Sequence, residues 1–343
     1  MNLRYLWIGS VIVLLYALLM SWNQDSARKK ELGEAAFIEQ IDVSQETPLQ
    51  ENSSLLVIEN EKLVVKISPV SGKVWEARLK EHTYLNNDAS LGVRVFGFDN
   101  LTGFRFYLSS GFVGEGGSFK VVSISPSSVE LLSEDGQVSK KISLKENDYE
   151  LFVTDTWVGG SLVDNPDPYV AMYRVDSKPL DSRGGLFENS SYTGVAFNTP
   201  ADPYVNSRLR SIDETQEFFQ RGGWIAFIQK YFMAAILTPP DREQTLSVIP
   251  PANETGVYVM AATSSGTKES ELREGIEHRI FLGPKIRSDL MTRASDLELT
   301  IDMGWFWFLA QPLVMLLSLI NGVVNNWGVS LIVLTALIKL LLW

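Results

Sequence analysis

The sequence has no cysteine, and only two of its 343 residues are histidine. The first absence removes disulfides, thiolate nucleophiles and cysteine-ligated metals. The second leaves little imidazole chemistry. His82 and His278 lie far apart in the chain, in no ligand spacing, and read as surface or edge-strand histidines. Gly114-Glu115-Gly116-Gly117 lacks the Lys-Ser/Thr that completes a phosphate loop. Asp164 and Asp167 flank Pro166 in the pattern of a turn, not a calcium site. Asn52-Ser53-Ser54, Asn189-Ser190-Ser191 and Asn253-Glu254-Thr255 match the glycosylation pattern by chance. No repeat of solenoid type is present. The expectation is a protein that is not an enzyme and holds neither metal nor cofactor.

Charge is missing at both ends. Residues 1–22 carry Arg4 and no other charge, and residues 305–343 carry only Lys339. All 41 acidic residues, and all but two of the 30 basic ones, lie between. An acidic, solvated body argues against nucleic acid as a partner, since that needs a basic footprint. The two ends are apolar enough for the lipid bilayer. The stretch 5–22 would span about 27 Å as a helix, close to a hydrocarbon core of about 30 Å. Its length, and the lack of an A-x-A site, favour an uncleaved anchor over a signal peptide. Trp22 suits the interfacial end of that anchor, and 1–22 is taken as a transmembrane segment.

Residues 23–53 are polar and read as a flexible tether. From residue 54 the pattern turns to strands. A hairpin is expected around Glu59-Asn60-Glu61, followed by alternating runs such as 73–79, 93–98, 104–108, 119–124, 129–132, 138–144 and 149–158. Later runs are 170–174, 224–228, 231–237, 246–249, 256–262 and 275–282, with a loop at Thr238-Pro239-Pro240. Spacing of about 8–12 residues predicts an all-β body, one large sandwich over 54–288. Helical periodicity is weak until Asp289. The aromatics Trp75, Trp157 and Trp224 fall at strand positions and read as core. Residues 289–303 read as a connecting helix or linker.

The last segment has two parts. Residues 304–325 are aromatic-rich and read as a helix that lies in the membrane interface or crosses it. Residues 326–343 read as the start of a second transmembrane helix. Trp305, Trp307 and Trp327 are placed as interfacial anchors. Within the second helix, Lys339 is a cation that costs about 2.5–3.5 kcal/mol at the centre of a bilayer helix on insertion scales. Two explanations stand. Lys339 snorkels to the headgroups, or it sits in a polar groove and meets a passing polypeptide. Thr335 lies four residues earlier, on the same helix face.

Three groups of residues resemble the YidC-type membrane protein insertases of the Gram-negative branch. They are Gly222-Gly223-Trp224-Ile225-Ala226 with Tyr231-Phe232; Gly283-Pro284-Lys285; and Gly304-Trp305-Phe306-Trp307-Phe308 with Gln311-Pro312-Leu313 and Asn326-Trp327-Gly328. The resemblance implies a periplasmic supersandwich of the galactose-mutarotase type and location in the bacterial inner membrane as a multi-pass protein. It implies nascent membrane proteins as partners, engaged alone or with the Sec translocon. It places Lys339 at the family's basic groove position, usually Arg, and Thr335 at its groove threonine. Lys keeps the charge and loses the planar five-donor fork. The family carries further transmembrane helices and a cytoplasmic hairpin after this span, so the chain is expected to be an incomplete version that does not insert proteins efficiently by itself. The alternative reading is a membrane-anchored periplasmic carbohydrate-binding or mutarotase-like domain. A docking domain for other translocation components is compatible with the first.

Overall fold

The computed structural model describes residues 55–83, 92–99, 104–112, 118–160, 166–175, 194–251, 257–301 and 307–341. The expected anchor at 1–22 and the expected tether at 23–53 lie outside them.

Strands dominate. In chain order they are β1 (Leu56–Glu59), β2 (Leu63–Ile67), β3 (Val74–Thr83), β4 (Gly92–Asp99), β5 (Phe104–Phe112), β6 (Phe119–Ser125), β7 (Ser128–Ser133) and β8 (Val138–Leu144). They continue with β9 (Glu150–Trp157), β10 (Pro168–Val175), β11 (Gly194–Phe197), β12 (Val205–Arg208), β13 (Gln216–Ile228), β14 (Phe232–Ile249), β15 (Val257–Thr263) and β16 (Ile276–Pro284). Among the described residues are also four α-helices, α1 (Glu269–Glu274), α2 (Arg287–Arg293), α3 (Trp307–Val324) and α4 (Trp327–Leu341), and two short 3-10 turns, Leu209–Ser211 and Leu297–Thr300.

The strands form an antiparallel path β1-β2-β3-β4-β5-β10-β15-β14-β16-β9-β8-β7-β6, with β13 on β14, and β11 joining β13 to β12. Period-2 side-chain alternation explains the burial. Val138, Lys140, Ile142 and Leu144 of β8 face inward, as do Val129 and Leu131 of β7. The expected first hairpin is β1–β2. Its turn residue Asn60 accepts from the Lys62 and Leu63 amides at 2.8 and 2.6 Å. The same side chain donates to the carbonyls of Lys145 and Asp148, tying the hairpin to the β8–β9 turn.

Two expectations need correction. The runs 231–237 and 246–249 are halves of one strand, β14. The pairing with β13 jumps from Arg221–Glu243 to Gly223–Thr238, so residues 239–242 bulge opposite Gly222 alone. A bulge accommodates the prolines, which have no N–H to donate to a ladder. Gly222 (φ +67°) makes this possible, because a Cβ there would stand 2.9 Å from the Pro240 Cα. Strands β11 and β12 were not foreseen. Gly194-Val195-Ala196-Phe197 is buried throughout and therefore shows no alternation. Helix α1 was also missed, being six residues long.

Three apolar clusters hold the body. The largest lies inside and includes Phe96, Phe106, Trp224, Phe227 and Phe281. A second, with Trp75, Tyr107 and Tyr173, lies on the opposite face of β3, β5 and β10. The third, Phe112, Val138, Trp157, Leu272 and Ile276, fills one end. Trp75, Trp157 and Trp224 are all core residues, as expected. Segment 285–301 is built into the body too. Leu290 and Leu297 enter the main cluster, and the Trp224 indole donates to the Ser295 carbonyl at 2.9 Å.

Candidate functional site

Two polar arrangements stand out, one inside the β-body and one on the C-terminal helices. The first is a charged layer between the largest and the end clusters. Lys140 (β8) and Asp155 (β9) are 1% and 0% exposed. The Lys140 ammonium donates to Asp155 Oδ1 at 2.5 Å and to the Ser110 carbonyl and hydroxyl at 2.8 and 2.7 Å. The Ser110 hydroxyl donates to Asp155 Oδ2 at 2.6 Å. No local motif marks this layer in the sequence. Alternation puts Lys140 on the face of Val138 and Ile142, so its burial was signalled; its partner one strand away was not.

His278 borders the layer. The expectation of a surface or edge-strand histidine is overturned: it is 4% exposed in β16, between β14 and β9. It faces inward in register with Ile276 and Ile280. His82 is half-buried at the end of β3, which is not an edge strand either, with its ring 5.6 Å from that of Phe232. Burial pushes the His278 imidazole down to about 4, Asp155 opposes that shift, and Lys140 and Arg242 add to it. His278 is therefore neutral at pH 7, and its 3.9 Å approach to Asp155 is not an ion pair there.

Stability depends on pH accordingly. Unfolded, His278 takes its proton near pH 6.5; folded, it resists until about 4. The unfolded state binds more protons between those values, so stability is full above pH 6.5 and falls as pH drops. The whole shift is worth about 3 kcal/mol. Denaturant titrations at pH 7 and pH 4 are expected to show wild type losing about that much more than His278→Gln. Equal losses in the two proteins contradict the assignment.

The second arrangement is the α3–α4 hairpin. Asn325 adopts φ +52°, and its amide donates to the Asn321 carbonyl at 2.8 Å, closing α3. Asn326 then opens α4: its side-chain oxygen accepts from the Gly328 and Val329 amides at 3.0 and 3.2 Å. The Ser330 hydroxyl donates to the Asn326 carbonyl at 2.8 Å. Ile320, Ser330 and Leu334 are buried, and the two helices pack against each other.

The predicted pair sits on α4. Thr335 and Lys339 are both exposed, one helical turn apart. The Thr335 hydroxyl donates to the Leu331 carbonyl at 2.7 Å. At about 100° per residue, Thr335 is rotated by roughly that angle from buried Leu334. The pair thus forms a polar row beside exposed apolar residues such as Ile332 (70%) and Leu340 (78%). Trp327 is 60% exposed at the start of α4. Trp22 and Trp305 lie outside the described residues, as does the Trp307 side chain. Among the described residues, no helix is long and apolar enough to cross a membrane.

The family resemblance is carried by more than the hairpin. Residues 55–316 match the model of the YidC periplasmic domain. The chain belongs to the YidC periplasmic-domain family. A "Membrane protein insertase YidC" from Pseudomonas syringae pv. tomato is 31% identical over 86% of this chain and 55% of its own length. A protein of the same name from Psychromonas ingrahamii is 30% identical over 84% and 53%. The chain thus spans about half the length of these curated relatives. Among solved structures, an active YidC insertase shares 14% identity over 84% of this chain and 55% of its own, with a TM-score of 0.37. A galactose mutarotase-like protein from Lactobacillus casei shares 8% identity over 67% of this chain and all of its own, with a TM-score of 0.40. Two of the three sequence groups that resemble YidC meet in space. Phe232 pairs with Pro284 across β14–β16, and the Lys285 amide donates to the Tyr231 carbonyl at 2.8 Å.

Proposed function

We propose that the protein assists insertion and folding of integral membrane proteins in the bacterial inner membrane, with the β-body in the periplasm. The observation that carries this reading is the polar row Thr335–Lys339 on an exposed face of α4, set among exposed apolar residues. The work involves no covalent chemistry. A nascent membrane protein brings polar segments past lipid, at several kcal/mol for each unsatisfied group. Lys339 supplies a fixed positive charge for its acidic or carbonyl groups, and Thr335 supplies a hydroxyl beside it. The lysine acts as a point charge, without the bidentate fork of arginine. The two helices bury few side chains between them, so this face is completed by further membrane helices or by lipid. The protein acts alone or with the Sec translocon. The relatives' names support the insertase reading.

Site-specific photocrosslinking tests it in the protein as its gene encodes it. A photoreactive residue at Thr335 is expected to capture a ribosome-bound nascent membrane protein. The same residue at Val333, about 160° around the helix, is expected to capture several-fold less. Equal yields from the two positions contradict the polar row as the substrate face.

A further inference from the structure

The β-body ends in a surface that the insertase reading leaves unused. Tyr231, in the β13–β14 turn, is 63% exposed, and Ile286 and Leu299 are 47% and 40% exposed. They are neighbours: the Lys285 amide donates to the Tyr231 carbonyl, and the Lys285 ammonium donates to the Thr300 carbonyl at 3.0 Å. Two exposed cations flank them. Lys230 stands 5.1 Å from the centre of the Tyr231 ring, and Arg287 follows Ile286. The acidic residue of α2, Asp289, is tied to Arg293 at 2.7 Å. The acidic neighbours of Leu299, Asp296 and Glu298, are half-buried, so the exposed members of the patch are apolar, aromatic and basic, in a chain whose formal net charge is −11.

We infer that Lys230, Tyr231, Ile286, Arg287 and Leu299 form a second membrane contact, in which the β-body rests on an anionic lipid surface. Chain length brings the patch to the bilayer. Thr300 is fixed beside Lys285, and α3 begins at Trp307. The six residue steps from Ile301 reach at most about 21 Å. Helix α3 exposes Met315 (71%), Leu319 (65%) and Val323 (81%), an apolar surface of the kind that lipid or a partner segment covers. Tyrosine suits the headgroup level, with its ring among acyl ends and its hydroxyl in water. Lysine and arginine beside it attract anionic headgroups. The contact fixes the height and tilt of the β-body over the hairpin.

This inference rests on the membrane placement of α3 and α4, so the experiment reads both. The chain lacks cysteine, so single-cysteine variants take one fluorophore each. Ile286→Cys reports the patch and Met315→Cys the hairpin. Val158→Cys is the control, exposed at the opposite end of β9, about 26 Å from Glu150. The full chain is reconstituted in vesicles of phosphatidylethanolamine and phosphatidylglycerol containing a headgroup spin-labelled lipid. Quenching at 286 is expected to exceed that at 158 at least three-fold and to fall at least two-fold with Lys230→Glu and Arg287→Glu together. Quenching at 286 no greater than at 158, with 315 quenched, overturns the inference and leaves the insertase reading standing. No quenching at 286 or 315 removes the membrane placement itself. Shielding at 286 that needs an added membrane-protein fraction assigns the patch to a protein partner and also overturns the inference.

Discussion

Asp155→Asn is expected to destabilise the β-body by about 3–5 kcal/mol, the usual cost of removing one member of a buried ion pair. The substitution keeps the shape of the side chain and removes its charge. Lys140 then remains 1% exposed, with the Ser110 carbonyl and hydroxyl, a neutral amide and the Phe119 ring 5.6 Å away around its ammonium. Apolar clusters lie on both sides of that layer, so water does not replace the lost carboxylate. The pair itself contributes little net stability, because desolvating two charges offsets their attraction. Replacing both, as Lys140→Met with Asp155→Leu, is therefore expected to recover most of the loss. Denaturant midpoints followed by tryptophan fluorescence measure all three proteins. A loss below about 1 kcal/mol for Asp155→Asn shows that the lysine finds another partner and contradicts the closed layer.

The pairing in that layer joins residues on different strands and has no local signal in the sequence. Alternation was enough to place β8 at Val138–Leu144, the limits the structure has, because one face is buried and the other wet. It failed at Gly194-Val195-Ala196-Phe197, where all four residues are buried and nothing alternates. It also split β14 at Pro239-Pro240, since the compensating Gly222 lies in another strand. His278 was read as peripheral because a lone histidine carries no period of its own; its neighbours Ile276 and Ile280 decide its direction. The C-terminal helices carry local signals. The Asn325-Asn326 break, and the four-residue step from Thr335 to Lys339, are local features and appear as such. The buried Ser330 was not anticipated, since its burial comes from the packing of α3 against α4.

Charge reversal at Lys339 is expected to lower insertion by at least tenfold. A cation and a carboxylate about 8 Å apart, at an effective dielectric of about 20, attract by about 2 kcal/mol. Since about 1.4 kcal/mol is tenfold, removing the charge in Lys339→Met costs on the order of tenfold, and Lys339→Glu costs more. Lys339→Arg keeps the charge, adds the fork, and is expected to insert at least as well as wild type. High salt weakens the effect little if the row is shielded from bulk water, and strongly if it faces open solvent. A lysine that only snorkels to the headgroups gives a different series: Met and Glu shift topology or expression, and the specific rate of insertion stays the same.

A charge swap tests the central claim most directly. The substrate is a membrane protein whose translocated segment carries one acidic residue, and insertion is read by protease protection in cells depleted of their own insertase. With that substrate, Lys339→Glu in the protein as its gene encodes it should fail. With the acidic residue changed to lysine, Lys339→Glu should regain at least a third of wild-type insertion while wild type loses it. Lys339→Glu failing equally on both substrates, or inserting both normally, contradicts the reading of Thr335–Lys339 as the face that meets the passing chain.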